Sequence, residues 1–246
     1  MLLTEPLMGT VFRFAVPDGT PEHVVREAVE WLRWVEGTFS TFRPDSAVSR
    51  IGLETLNLEN APVEVRQVLS WCEELEEATE GRFSIRPGRP GGPGIDPAGF
   101  VKGWSVDDAA RVLQTRGVDD FSIYAGGDVL CVGEPPSGDR WRVAIRHPDR
   151  PDEARGATLE IPGGAVATSA AYYRGDHIRG THRRLVASVS VAGPRLGIAD
   201  ALATAIFADQ AASLDWMGRF PEYGVLLLGA DGMMRWTEQM KALIAR

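Results

Sequence analysis

Apolar and polar positions along this chain follow two rhythms. Residues 10–16 (TVFRFAV) alternate with period two, which predicts a strand. After Thr20-Pro21, apolar residues recur at Val24, Val25, Ala28, Val29, Leu32 and Val35. Steps of three and four predict a helix with one buried face. Thr20 offers a capping hydroxyl, and Pro21 falls in a first turn where a missing N–H costs little. Residues 38–52 are polar and irregular and read as a connection. Asn60-Ala61-Pro62 opens a second helix with Val65, Val68, Leu69, Cys72 and Leu75 inward. Five Glu between positions 71 and 80 read as its solvated face. Residues 86–95 are dominated by Pro and Gly and cannot be regular structure.

A third helix is expected from Trp104 to Arg116, stopped by Gly117 as a C-cap. Strand-like runs follow at 121–125, 129–132, 141–146, 157–161, 165–168 and 186–192. An alanine-rich helix spans Ile198–Ala208. Strands at 224–228 and 233–236 and a terminal helix close the chain. Strands in series, with helices before and after, predict an α+β fold with a largely antiparallel sheet. No repeat or linker divides residues 1–246, which read as a single domain.

Composition narrows the function. The 246 residues are 44% apolar and 24% charged, with 26 Lys and Arg against 34 Asp and Glu, a formal charge of −8. That excludes a disordered chain and argues against a nucleic-acid partner, which attracts excess positive charge. The two cysteines, Cys72 and Cys131, form no CxxC pair and read as buried thiols. No apolar run is long enough for a membrane span, and the N-terminus lacks a secretory or lipoprotein pattern. The expectation is a cytoplasmic protein without membrane insertion.

Four segments could carry chemistry. Asp200 and Thr204 are i and i+4 in the alanine-rich helix, so a carboxylate and a hydroxyl share one face, both hard donors suited to Mg²⁺. An Asp near a helix N-terminus is also favoured by the dipole alone. The run Asp96-Pro97-Ala98-Gly99-Phe100-Val101-Lys102-Gly103 reads as a Gly-bearing loop entering a helix, offering N–H groups and a Lys to an anion, or as a plain turn. Gly126-Gly127-Asp128 is a tight hairpin turn that also permits close backbone approach. Ala167-Thr168-Ser169-Ala170 precedes Asp176-His177-Ile178, where Arg174, Arg179, Arg183 and Arg184 make a local positive patch beside a His that titrates near neutrality. A Walker phosphate loop, a Rossmann glycine fingerprint and a GxSxG elbow are absent from the sequence.

In this order the segments resemble the ApbE family of FAD:protein FMN transferases. Met8-Gly9-Thr10 is similar to its opening MGT. Ser40-Thr41-Phe42-Arg43-Pro44-Asp45-Ser46 with Val48-Ser49-Arg50 resembles its S-x-[YF]-x-x-x-S-x-[LV]-S-R stretch. Gly81-Arg82-Phe83 resembles its G-x-[FY]-D segment, and Asp96 to Asp107 its D-x-G-G-x-x-K-G-x-x-x-D block. Gly126-Gly127-Asp128, Ala167-Thr168-Ser169, His177-Ile178 and Ala199 to Ala205 complete the series, which runs from about residue 8 to 210. The chain departs from the series where Ser84 replaces the Asp after the aromatic, Ala170 the Gly of ATSG, and Arg179-Gly180-Thr181-His182 the D-P-x-x-G after His177-Ile178.

The resemblance implies a T-fold-like ApbE domain. The implied activity is Mg²⁺-dependent transfer of FMN from FAD to a Thr or Ser hydroxyl of a target flavoprotein, releasing AMP. Mn²⁺ is an alternative metal, since both accept hard oxygen ligands. Position by position, Gly99, Asp200, Ala203 and Thr204 become metal ligands. Met8, Phe42, Phe83, Ser84, Asp96, Lys102 and Ile178 become FAD contacts, and His177 the catalytic residue. Phe42 would stack on a flat ring; Lys102 would neutralise a phosphate or pair with a site carboxylate. Two alternatives remain: an FAD pyrophosphatase yielding FMN and AMP, and a non-catalytic FAD-binding paralogue.

Overall fold

The structure, a computed structural model, describes residues 1–86, 94–146, 156–170, 186–209 and 214–245. Eight strands form one antiparallel sheet in the order β1 (Leu2–Leu7), β2 (Thr10–Ala15), β3 (Phe121–Ala125), β4 (Asp128–Val132), β7 (Gly164–Ala170), β8 (Val186–Gly193), β9 (Gly224–Gly229) and β10 (Met234–Trp236). The hairpin of β5 (Trp141–Ile145) and β6 (Ala157–Ile161) pairs separately. The expected α+β class with a largely antiparallel sheet is what the chain adopts.

Period-two alternation sorts the strand residues between two cores. Leu130, Ala165, Ala167, Val189, Val191, Val225 and Leu227 face the larger one, under the helices. Their neighbours Cys131, Val166, Ala192 and Leu226 face the smaller one, closed by the β5–β6 hairpin and Met240. A strand covered on both faces needs no alternation, which explains the unbroken apolar run of β9. Burial pushes both the Cys72 and Cys131 thiols up to about 12, as expected of inert core cysteines.

The helical layer contains α1 (Glu22–Phe39), α3 (Val63–Ala78), α4 (Ala98–Thr115) and α5 (Leu196–Asp209). Every inward residue expected of the first two helices is buried. Each Val and Leu among them gains roughly 1.5–3 kcal/mol from burial. Helix α5, apolar except for Asp200, Thr204 and the terminal Asp209, is accordingly buried over most of its length. Gly117 ends α4 with φ 77°, as a C-cap glycine should.

Several expectations need correction. Thr20 does not cap α1; its hydroxyl donates to the Pro17 carbonyl at 2.9 Å. The 38–52 stretch contains a short helix, α2 (Ala47–Gly52), capped by the Ser46 hydroxyl, which accepts from Ser49 N at 3.0 Å. Six residues are too few to display a helical period. Strand β1, unread in the sequence, is an edge strand that tolerates Pro6. Helix α4 begins at Ala98, six residues before the expected Trp104, so Gly99, Lys102 and Gly103 are helical rather than in a loop. The Asp96 carboxylate accepts from Ala98 N at 3.1 Å and starts the helix. The glycines lower helix propensity by about 1 kcal/mol each, but helix packing requires one of them.

That one is Gly103. A Cβ there would lie 2.4 Å from the Leu196 carbonyl oxygen and 2.8 Å from Gly197 Cα. Reciprocally, a Cβ on Gly197 would meet Trp104 N at 3.0 Å. The pair lets α4 cross the start of α5 at backbone contact. Asp107, one turn further along α4, accepts from Leu196 N at 2.8 Å and Gly197 N at 3.0 Å. It therefore caps a helix 89 residues away in the chain.

Candidate functional site

The crossing of α4 and α5 brings their polar residues to one end of the sheet. The β1–β2 and β3–β4 turns both lie at that end, where β7 stops at Ala170 and β8 begins at Val186. Both turns have two successive positive-φ residues, Met8 (51°) with Gly9 (69°), and Gly126 (58°) with Gly127 (105°). This backbone suits the twist of a two-residue hairpin. Asn-Gly is its usual sequence, so Met8 is an unusual occupant; its N–H donates to Glu36 Oε1 at 2.7 Å. The turns touch: a Cβ at Gly126 would lie 2.4 Å from Thr10 Oγ1.

Asp128 opens β4 with the parity of Leu130, so its side chain points under the helices. It is 1% exposed. Its Oδ1 accepts from Thr168 N at 2.9 Å, and its Oδ2 pairs with the Lys102 ammonium. Lys102 also stands 3.1 Å from Asp200 Oδ2 on α5. That oxygen is buried, and although Lys102 is close, it receives no directed hydrogen bond. One turn along α5, Thr204 Oγ1 lies 3.5 Å from Ser169 Oγ of β7. A Cβ on Gly99 would come within 3.4–3.5 Å of the Thr204 side chain and 3.4 Å of the Phe83 ring. Four elements, α4, β4, β7 and α5, thus bring together one ammonium, two carboxylates and two hydroxyls.

The structure gathers Gly99, Lys102, Asp200 and Thr204, with Phe83 against Gly99 and Ala203 fully buried beside Thr204. Met8 approaches through Ser105, whose hydroxyl is 4.0 Å from the Met8 sulfur and donates to the Lys102 carbonyl at 2.7 Å. Asp96 sits at the start of α4. Ser84 is exposed and its hydroxyl accepts from Arg86 N at 3.2 Å. Phe42 is not gathered in; it stands 96% exposed on the turn before α2. His177, Ile178 and Arg174, Arg179, Arg183 and Arg184 lie outside the described residues. Of the two roles open to Lys102, the structure shows pairing with carboxylates. Asp128, read in the sequence as the end of a hairpin turn and of the Gly126-Gly127-Asp128 motif, is the residue whose part in the cluster the sequence does not show. The available signal was its place as first residue of a strand, on the parity of Leu130.

A divalent cation fits the donors at this end. Asp200 Oδ2 is a buried carboxylate oxygen lacking a directed donor, and the Thr204 hydroxyl follows on the same helix face. Among the described residues no three His, Cys, Asp or Glu side chains converge as metal ligands. The set therefore suits a hard cation that completes its shell with hydroxyl, carbonyl and substrate oxygens.

Fold and site together define an α+β protein whose sheet end is arranged to hold cationic charge between a helix carboxylate and a strand carboxylate. The chain belongs to the ApbE family, whose model matches residues 8–90 and 88–227. An FAD:protein FMN transferase of Rhodobacter capsulatus is 31% identical over 193 residues, 72% of this chain and 36% of that protein. One of Vibrio cholerae is 30% identical over 125 residues, 46% of this chain and 37% of that protein. The chain thus spans little more than a third of the length of these two relatives. The crystal structure of an ApbE protein from Thermotoga maritima superposes with a TM-score of 0.84 at 21% identity, covering 100% of this chain and 99% of that one. At that identity the likeness establishes the fold. Among the described residues no helix is long and apolar enough to cross a membrane.

Proposed function

We propose that this protein transfers FMN from FAD to a hydroxyl of a target flavoprotein, releasing AMP, with residues 1–246 acting as one domain. The observation that carries the reading is Asp200 Oδ2, a buried carboxylate oxygen without a directed donor, set one helical turn from Thr204 and beside Lys102. Family membership and the names of the relatives supply the substrate and the reaction. The acceptor is a Thr or Ser.

In the reaction the acceptor oxygen bonds to the FMN phosphorus. The bond from that phosphorus to the bridging oxygen breaks, and AMP departs with the bridging oxygen. The acceptor's proton must leave, and the resemblance gives that task to His177. Asp200 and Thr204, with the backbone at Gly99 and Ala203, would hold Mg²⁺ or Mn²⁺. When bound, the cation supplies charge neutralisation to the pyrophosphate, the main need of phosphoryl transfer. Lys102 adds a positive charge at the same end of the sheet. Met8, Phe83, Ser84, Asp96 and Ile178 would line the FAD site, and Phe42 offers an exposed ring to stack on a flat one.

The test is incubation with FAD and Mg²⁺, with and without an acceptor flavoprotein, following AMP release and flavin fluorescence on protein. AMP together with labelled acceptor is expected. AMP without label in the presence of the true acceptor would point to the pyrophosphatase; bound FAD without AMP would leave a binding protein. Asp200→Ala should lower Mg²⁺-dependent turnover by at least about 100-fold, the scale on which loss of key electrostatic stabilisation is felt. Unchanged turnover removes Asp200 from the metal site.

A further inference from the structure

We propose that Lys102 is a resident cation that neutralises Asp200 when the metal is absent, and that Asp128 is the buried seat that draws the ammonium away when the metal binds. The inference rests on the metal reading above and makes Asp128 a positioning residue for Lys102.

Three observations support it. The two carboxylates hold the same ammonium unequally: Asp128 Oδ2 accepts a hydrogen bond from Lys102 Nζ, whereas Asp200 Oδ2 has the ammonium 3.1 Å away with no directed bond. Asp128 is also fixed from its other side. Its Oδ1 accepts from Thr168 N at 2.9 Å, so sheet backbone holds the seat in place. Finally, Lys102 is the only cation among the described residues that ion-pairs with either carboxylate. Two buried carboxylates sharing one ammonium leave a net charge of −1, an arrangement that favours entry of a second cation.

A divalent ion approaching Asp200 Oδ2 would meet the ammonium there and repel it. A lysine has a flexible four-carbon stem and three donors, so its head, already bonded to Asp128, can swing away from Asp200 about that bond while its backbone stays in the helix. Asp128 therefore lowers the energetic penalty of displacing Lys102, and it keeps the ammonium at the sheet end for an incoming pyrophosphate. Without Asp128, Lys102 would pair with Asp200 alone and compete directly with the metal.

The experiment is a double-mutant cycle on the full chain without FAD. Mn²⁺ affinity is read by titration against the EPR signal of free Mn²⁺, with a thermal melt of each metal-free variant. Asp128→Asn should weaken Mn²⁺ binding by about tenfold or more. Lys102→Gln should tighten it by about threefold or more. In the Lys102→Gln background, the loss caused by Asp128→Asn should shrink at least fivefold, the non-additivity expected of residues acting through one another. Equal losses in both backgrounds would mean Asp128 acts by plain charge or by structure, and would overturn the inference while leaving the metal reading intact. Should Asp128→Asn not fold, Lys102→Gln decides alone: unchanged or weaker Mn²⁺ binding overturns the proposal. If the wild-type protein binds no Mn²⁺ at millimolar concentration, the inference and the metal reading fall together.

Discussion

Helices α4 and α5 meet at two places, each marked by a buried carboxylate, and the two differ in how completely their oxygens are satisfied. At the start of α5, Asp107 accepts from Leu196 N and Gly197 N, one bond for each carboxylate oxygen, with Arg195 Nε 4.0 Å away. One turn along, Asp200 shares Lys102 with Asp128 and leaves Oδ2 without a directed donor. Buried polar groups are almost always paired, so an incompletely paired one calls for an explanation. Asp107 is a joint; Asp200 is the incompletely satisfied carboxylate that we propose as a metal ligand. Residue type and burial do not separate them, and the state of the oxygens does.

The sharpest way to break this comparison is to separate the helices. Gly103→Val would place side-chain carbons where the Leu196 carbonyl oxygen now lies, 2.4 Å from the Cβ position. Overpacking usually costs about 1–3 kcal/mol; here the clash is with helix backbone that cannot rotate away. The expected loss is more than about 3 kcal/mol, read by denaturant titration. A variant of normal stability would show that the two helices can part without harm. It would also undercut the account of how Lys102 reaches Asp200.

Next in size is the contrast between the carboxylates themselves. Asp107→Asn sets an amide N–H₂ against one of two buried backbone N–H donors. Leaving such a group unsatisfied costs about 1–3 kcal/mol, and that loss is expected in a melt of the metal-free protein. Asp200→Asn should change the stability of the metal-free protein by less than about 1 kcal/mol, since Lys102 keeps Asp128 and no directed hydrogen bond is lost at Oδ2. A destabilisation by Asp200→Asn equal to that of Asp107→Asn would make Asp200 structural and end the distinction.

Much of this was legible in the sequence, and the failures share a cause. The apolar faces of α1 and α3, and most strands, announce themselves through local periodicity. Asp200 and Thr204 are visible as a pair because i and i+4 share a face within one helix. The start of α4 was misplaced because its glycines read locally as a loop, while their helical state depends on packing against α5, nearly a hundred residues later. Asp107 showed no sign of capping Leu196 and Gly197 for the same reason. Asp128 read as hairpin because the hairpin is real; its second role appears only when Lys102 arrives from another element. Periodicity reports what a segment does with its own neighbours. The site is made between segments.

The smallest expected effect is on pH dependence, and it tests whether Asp107 is as deeply held as its two bonds suggest. Burial raises its carboxyl above the ordinary 3.8, partly opposed by the Gly197 and Leu196 N–H groups and by Arg195. A native pKa above the unfolded one means that the folded protein binds the proton more tightly. The stability this group contributes is therefore fully present below the unfolded value and is lost as pH rises through the native one. Asparagine has no proton to exchange, so the variant lacks that decline. The stability of the wild type minus that of Asp107→Asn should fall as pH rises from about 3.8 through the native value, measured by denaturant titration at a series of pH values. A difference that rises instead would mean that the two backbone N–H groups outweigh burial and hold Asp107 ionised, making the joint an anion cap for α5.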